Sequence, residues 1–169
     1  RRFLLKLLVL ATFLFAGVSQ LTYAQTPKKG IKVFVELTPA GDFTITSSSI
    51  IGKVKRTPKG LVAKNLYVKV DSLKTGVDLR DDHVKKRLKD GKKYKKIIIK
   101  KGIARNGKGK AIIEVKGIKK KFPFTYTETK KYMIGEFSLS IKDFKIKDVK
   151  YLGVGAKDKI KVKFTVPIV

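Results

Sequence analysis

Ile31-Lys32-Val33-Phe34-Val35-Glu36-Leu37 alternates at a period of two: Ile31, Val33, Val35 and Leu37 take one side, Lys32 and Glu36 the other. Successive strand residues point to opposite faces, whereas a helix repeats its apolar positions every third or fourth residue, so this stretch reads as a half-buried strand. The same period extends along the chain. Pro39-Ala40-Gly41-Asp42 marks a turn, Phe43–Val54 a Thr- and Ser-rich second strand, Thr57-Pro58-Lys59-Gly60 another turn, and Leu61–Val70 a third strand with Leu66, Val68 and Val70 on one face. Further strands are expected over Lys95–Ala104, Lys110–Val115, Phe122–Glu128, Tyr132–Ile141 and Asp158–Ile168, with Lys142–Lys157 irregular. Asn106-Gly107 joins two of them and is a strong hairpin signal, because both residues tolerate the positive φ of a type I′ turn.

The period changes once, over Asp78-Leu79-Arg80-Asp81-Asp82-His83-Val84-Lys85-Lys86-Arg87-Leu88. Asp78 is the expected N-cap, Gly91 suits the C-terminal end, and Val84 with Leu88 forms a narrow apolar stripe. Asp81–Lys85 and Asp82–Lys86 have the i,i+4 spacing of helix ion pairs. The expectation is therefore an all-β domain of about eight strands with one inserted helix, arranged as a sandwich or a closed antiparallel barrel. An eight-stranded barrel has room for one small ligand.

The N-terminus follows the plan of a secretory leader. Arg1, Arg2 and Lys6 precede an apolar run from Leu7 to Val18, and Thr22 and Ala24 supply the small residues before a cut between Ala24 and Gln25. The run is shorter than the roughly 20 residues of a membrane-spanning helix. The paired arginines resemble a twin-arginine signal, while the strongly apolar run favours the general secretory route. Residues 1–24 are thus expected to be a signal peptide and residues 25–169 one domain placed in the periplasm. No cysteine is present to carry a lipid anchor or a disulfide, so a soluble product resting on its own core is expected.

The formal charge of the 169 residues is +28, and loss of Arg1, Arg2 and Lys6 with the leader would leave +25. Such a charge attracts polyanions, including an anionic membrane or lipopolysaccharide. Most lysines alternate with apolar residues, as in Lys161-Val162-Lys163-Phe164, which also fits a solvated outer face of strands. Lys121-Phe122-Pro123-Phe124-Thr125-Tyr126 interleaves aromatic and basic residues in the same way, and no nucleic-acid partner is expected from it.

Catalytic chemistry finds little support. His83 is the one histidine, so with no cysteine an ordinary zinc site lacks its ligand set and no metal is expected. No serine lies in a nucleophile-elbow pattern, and Gly107-Lys108-Gly109-Lys110 lacks the spacing of a phosphate loop. A non-enzymatic protein without a cofactor is expected. Arg80 and His83 lie three apart on the helix; Arg80 has the planar fork that suits a phosphate headgroup, and the same residues serve equally to fix the helix to the sheet.

Val70-Asp71-Ser72-Leu73-Lys74-Thr75-Gly76-Val77-Asp78-Leu79-Arg80-Asp81-Asp82-His83 resembles the hallmark segment of the YceI-like family. Ser49-Ile50-Ile51-Gly52-Lys53-Val54, Glu114-Val115-Lys116-Gly117-Ile118-Lys119-Lys120 and Phe137-Ser138-Leu139-Ser140-Ile141-Lys142-Asp143-Phe144-Lys145-Ile146 resemble other family segments in the same order, over roughly residues 31 to 168. Departures fall at Leu88–Lys96 and at Lys145, where the family carries glycine. The resemblance implies an extended lipocalin-like eight-stranded antiparallel barrel with one inserted α-helix, exported to the periplasm, holding a polyisoprenoid, an isoprenoid quinone or a similar amphipathic lipid. Phe34, Ile45, Phe137, Phe144, Arg80 and His83 are the candidate ligand contacts in such a cavity. Asp71, Thr75 and Asp81 are the candidates for joining helix to barrel. Apolar excess such as Ile97-Ile98-Ile99 suits a lined tunnel and equally a sheet covered by the helix. The other functional expectation is an envelope protein acting on polyanions through its basic surface. The sequence leaves a homodimer open.

Overall fold

The structure, a computed structural model, describes residues 26–147, 149–151 and 153–169. The expected leader, residues 1–24, and its cut between Ala24 and Gln25 lie outside the described residues.

The elements in chain order are β1 (Gly30–Thr38), β2 (Asp42–Ser47), β3 (Ile50–Ile51), β4 (Val54–Thr57), β5 (Gly60–Lys69), α1 (Asp78–Lys89), β6 (Lys96–Arg105), β7 (Lys108–Val115), β8 (Ile118–Glu128), β9 (Tyr132–Ser140), β10 (Lys150–Tyr151), β11 (Val154–Ala156) and β12 (Lys159–Pro167). They form one antiparallel sheet in the order β10-β11-β1-β12-β9-β8-β7-β6-β5-β3, with β2 on β1 and β4 on β5. The run β2–β4 closes it: β2 pairs with β1 at one edge, while β3 and β4 pair with β5 at the other. The result is a near-closed barrel. Taken as one broken stave, β2–β4 joins β1, β5, β6, β7, β8, β9 and β12 to make the expected eight; the ladder has more strands because that stave is interrupted and because β10 and β11 extend the end of β1.

Local chemistry explains the interruption. Ser47 Oγ accepts from the Ser49 N–H at 3.1 Å, a side-chain turn that competes with the ladder. Gly52 has φ +107°, and a Cβ there would sit 3.1 Å from Leu66 Cα. The free edge of β2 is covered by Lys74, which exchanges backbone hydrogen bonds with Thr46 at 2.7 and 2.9 Å, and the C-terminus covers β4, since Val169 exchanges bonds with Val54 and Arg56. Unpaired strand edges are templates for association, and both are occupied here.

The hairpin at Asn106-Gly107 has both residues at positive φ, 52° and 77°, as its sequence requires. Lys142–Lys157 is not wholly irregular: a 3-10 turn spans Lys142–Phe144, and β10 and β11 fold back so that Ala156 pairs with Leu37. α1 begins as expected, but Val77 occupies the N-cap with no side-chain hydrogen bond, in place of Asp78. Its C-terminus turns through Asp90 and Gly91, both left-handed. Asp81 points away from Lys85 and pairs with Lys74, because its carboxylate is turned into the protein.

The inward face alternates as strands require. Val35, Leu61, Ile113, Phe122 and Val166 are buried in one core. Aromatic rings lie over glycines in neighbouring strands: an added Cβ at Gly109 would meet the Phe124 ring at 2.2 Å, and one at Gly135 the Phe164 ring at 2.5 Å. Phe124 and Phe164 meet edge to face with centroids 5.7 Å apart, a favoured aromatic geometry.

Candidate functional site

The barrel interior holds a cavity of about 250 Å³. Its origin is a row of small residues. Ala63 pairs with Gly102, and Gly102 with Ala111, so three adjacent staves present almost no side-chain volume to the inside at one level. The next stave in that row carries Phe122, opposite Ala111, and its ring lies 4.2 Å from that of Phe137. β8 and β9 share a ladder only over Thr125–Glu128 and Met133–Glu136, so this aromatic pair closes the wall where the ladder stops.

One end of the cavity is capped by Val84, Arg87 and Leu88 of α1 and by Phe144 and Ile146. Arg87 is the one charged side chain among the described lining residues, and its Nη1 donates to the Lys147 carbonyl at 2.6 Å. Sequence reasoning missed it. The available signal was spacing: Arg87 follows Val84 by three positions and therefore shares the face of the Val84–Leu88 stripe.

Of the residues expected at a ligand site, Ile45, Phe137 and Phe144 line the cavity. Phe34 does not. It lies on the outer face, 37 % exposed, with the Lys163 ammonium 5.6 Å from its ring centroid. Period-two alternation with inward Val33 and Val35 sends it there. Arg80 stands 4.7 Å over the Phe43 ring, and so meets a cavity-wall residue from outside instead of lining the cavity. His83 is exposed and outside the lining.

Thr75 and Asp81 come together at the start of α1, and Asp71 lies at its other end. Asp81, 3 % exposed, accepts from the Thr75 N–H at 2.6 Å and the Thr75 hydroxyl at 2.7 Å, and Lys74 lies 3.3 Å from its other oxygen. The Thr75 hydroxyl above all, with its N–H and Lys74, holds the Asp81 carboxyl below its ordinary range. Asp71 pairs with Lys89 at the far end of the helix, which lowers its pKa in the same direction. The helix lid is therefore pinned at both ends.

The outer face is different. An open groove of about 810 Å³ crosses β2, β1, β12, β9 and β8, with Lys28, Lys29, Lys32, Lys74 and Lys163 around it and Glu136 as its acid. Lysines stand directly opposite one another at Lys32–Lys163, Lys64–Lys101 and Lys69–Lys96. Among the described residues no three acidic or histidine side chains cluster to hold a metal, and no helix is long and apolar enough to cross a membrane.

Solved structures share this architecture. A polyisoprenoid-binding domain from Saccharophagus degradans, implicated in plant cell wall breakdown, aligns with a TM-score of 0.61 at 11 % identity over 82 % of this chain and 91 % of its own. BcnA of Burkholderia cenocepacia aligns with a TM-score of 0.60 at 18 % identity over 82 % of this chain and 96 % of its own. At such identities the likeness concerns the fold. Among curated proteins none matches the chain. The profile of the YceI-like domain matches residues 23–168, and the chain belongs to the YceI-like domain family.

Proposed function

We propose that the protein binds a polyisoprenoid or similar amphipathic lipid inside its barrel and carries it through the periplasm. The observation that carries this reading is the cavity, walled by apolar side chains and opened by the Ala63–Gly102–Ala111 row. A row of small residues leaves room that a side-chain-filled barrel would not. About 250 Å³ lies just below the roughly 300–1,000 Å³ of drug-sized ligand sites, which suits a thin chain better than a bulky ring system. Each buried CH₂ contributes about 0.8 kcal/mol, so a chain of isoprene units is held by burial alone. The polyisoprenoid-binding domain that shares the fold supports the same ligand class. The leader-like N-terminus supports export, and the role is binding, not catalysis. Native mass spectrometry of the purified protein after exposure to an organic envelope extract tests it. A retained lipid is expected; no adduct, and no uptake of isoprenoid quinones or polyprenyl phosphates, would refute it.

A second reading, contact with lipopolysaccharide or an anionic membrane through the outer face, is favoured by the opposed lysine pairs and the lysine-rimmed groove. Binding of this kind falls steeply with salt and survives substitutions that fill the cavity.

A further inference from the structure

The outer groove owes its shape to a row of short side chains. On β1, β12, β9 and β8 the outward residues Gly30, Thr165, Ile134 and Thr127 stand side by side, and all of them line it. One pleat along the same strands stand Lys32 and Lys163, directly opposite each other. Lys28 and Lys29 enter on the other side, where the chain leads into β1. The result is a trough with a shallow floor and cationic banks. Its acid, Glu136, pairs with Lys161 at 3.1 Å, and Glu128, next to Thr127, pairs with Arg56. Lys74 is engaged by Asp81. Lys28, Lys29, Lys32 and Lys163 have no ion pair among the described residues. Directly opposed lysines repel. The Lys64–Lys101 and Lys69–Lys96 pairs do so on open wall, whereas Lys32 and Lys163 border the trough.

We infer that the trough binds a linear acidic polysaccharide, a polymer with a carboxylate on each sugar, laid across the strands. Neighbouring strands lie about 4.8 Å apart, so the floor from β1 to β8 spans about 14 Å. Such a polymer repeats at nearly the strand spacing, and successive sugars meet successive strands. Successive carboxylates then reach Lys32 and Lys163 and relieve their repulsion. The Thr165 and Thr127 hydroxyls donate and accept hydrogen bonds, as sugar hydroxyls require, and Ile134 gives the C–H face of a ring an apolar seat. The cations are spread along the trough instead of converging, which suits a chain of charges better than one small anion. A bilayer surface is flat and would meet the banks without entering the floor. Nucleic acid lacks a stacking platform here, since Tyr126 is 8 % exposed and Phe164 lines the inner cavity. The trough lies outside the barrel wall, so its occupancy is independent of the carrier reading.

Calorimetric titration of the purified protein with tetragalacturonate in dilute buffer tests this, with uncharged maltotetraose and galacturonate monomer alongside. Tetragalacturonate is expected to bind about tenfold or more tighter than either, and to weaken as salt rises. K32M/K163M removes both opposed charges together with their repulsion, so folding is not endangered, and it should lose about tenfold or more in affinity. T165Y keeps every charge and fills the floor with a side chain that strands favour, and it should lose a similar factor. K110M removes an exposed charge on β7 outside the trough and should bind as the wild type does. No preference for the tetramer, a loss in K110M equal to that in K32M/K163M, or undiminished binding by T165Y overturns the inference. So does tighter binding to phosphatidylglycerol vesicles that K32M/K163M loses and T165Y keeps, which would assign the opposed lysines to a membrane.

Discussion

The carboxylate of Asp81 and the backbone N–H of Thr75 lie 2.6 Å apart, and the Thr75 hydroxyl donates to the same oxygen at 2.7 Å. The contact ties the first turn of the helix lid to the loop that closes the edge of β2 through Lys74. The bonds favour the charged carboxylate, so its folded pKa lies below the 3.8 of an unperturbed aspartate. A lowered folded pKa means that Asp81 adds stability above the unfolded value and loses it as pH falls through the folded one. Asp81→Asn should therefore lower the melting temperature at neutral pH, and the gap to the wild type should close as the pH drops below about 4. Melting curves from neutral pH to strong acid check this; a gap that does not change with pH would show that the charge is irrelevant.

Gly102→Leu should fill the cavity. An added Cβ meets Ala111 at 3.5 Å and Ala63 at 3.8 Å, ordinary contacts, so the substitution begins without a clash. The rest of the side chain enters the space the small row leaves. Lipid uptake should be lost in native mass spectra, while circular dichroism keeps its β signature and stability falls by about 1–3 kcal/mol from overpacking. Undiminished uptake would place the lipid elsewhere.

Gly135→Ala should destabilise the barrel, and it presses on Phe164, which lines the cavity. Its Cβ would stand 2.5 Å from the Thr125 carbonyl and 2.5 Å from the Phe164 ring. The ring can swing, but the carbonyl belongs to the β8–β9 ladder. A loss of about 1–3 kcal/mol is expected in urea titrations, the usual cost of forcing atoms into a packed site. A loss under a few tenths would mean that the ladder shifts freely.

Lys64→Glu should stabilise. Lys64 and Lys101 are exposed and directly opposite on β5 and β6. Like charges at opposed positions repel, and an opposite pair contributes roughly 0.2–1 kcal/mol. The gain should be largest in dilute buffer and fade in high salt, where such charges are screened. Urea titrations at two ionic strengths decide it; equal stability of variant and wild type in dilute buffer would show that the lysines splay apart.

Parts of the candidate site were legible in the residues and parts were not. The outward position of Phe34 follows from the alternation of Val33 and Val35, and counting its greasiness toward the cavity set that period aside. Ile45 also follows its strand's period inward. Arg80 was legible as a helix residue with a phosphate-binding fork, but which face of a short helix meets the barrel depends on how the helix docks. That docking turns Arg87 to the cavity and Arg80 onto Phe43. Asp81 has the spacing of a partner for Lys85 and is also expected with Thr75 at the junction of helix and barrel; the Thr75 N–H and hydroxyl, six residues earlier, hold it at that junction.

The amino-acid sequence by itself determined the β class, the place of the one helix, the Asn106-Gly107 hairpin and the resemblance that carries the family. These are local properties: a side-chain period, a tolerance of positive φ, an order of short segments. Tertiary structure alone decided that the β2–β4 stave changes partners from β1 to β5, that β11 pairs with the end of β1, and that Ala63, Gly102 and Ala111 share one level. The reason is register. A strand's own residues set which side chains face inward, but the neighbour each one meets depends on pairing between segments far apart in the chain. The cavity exists because three small residues on three staves meet in one row.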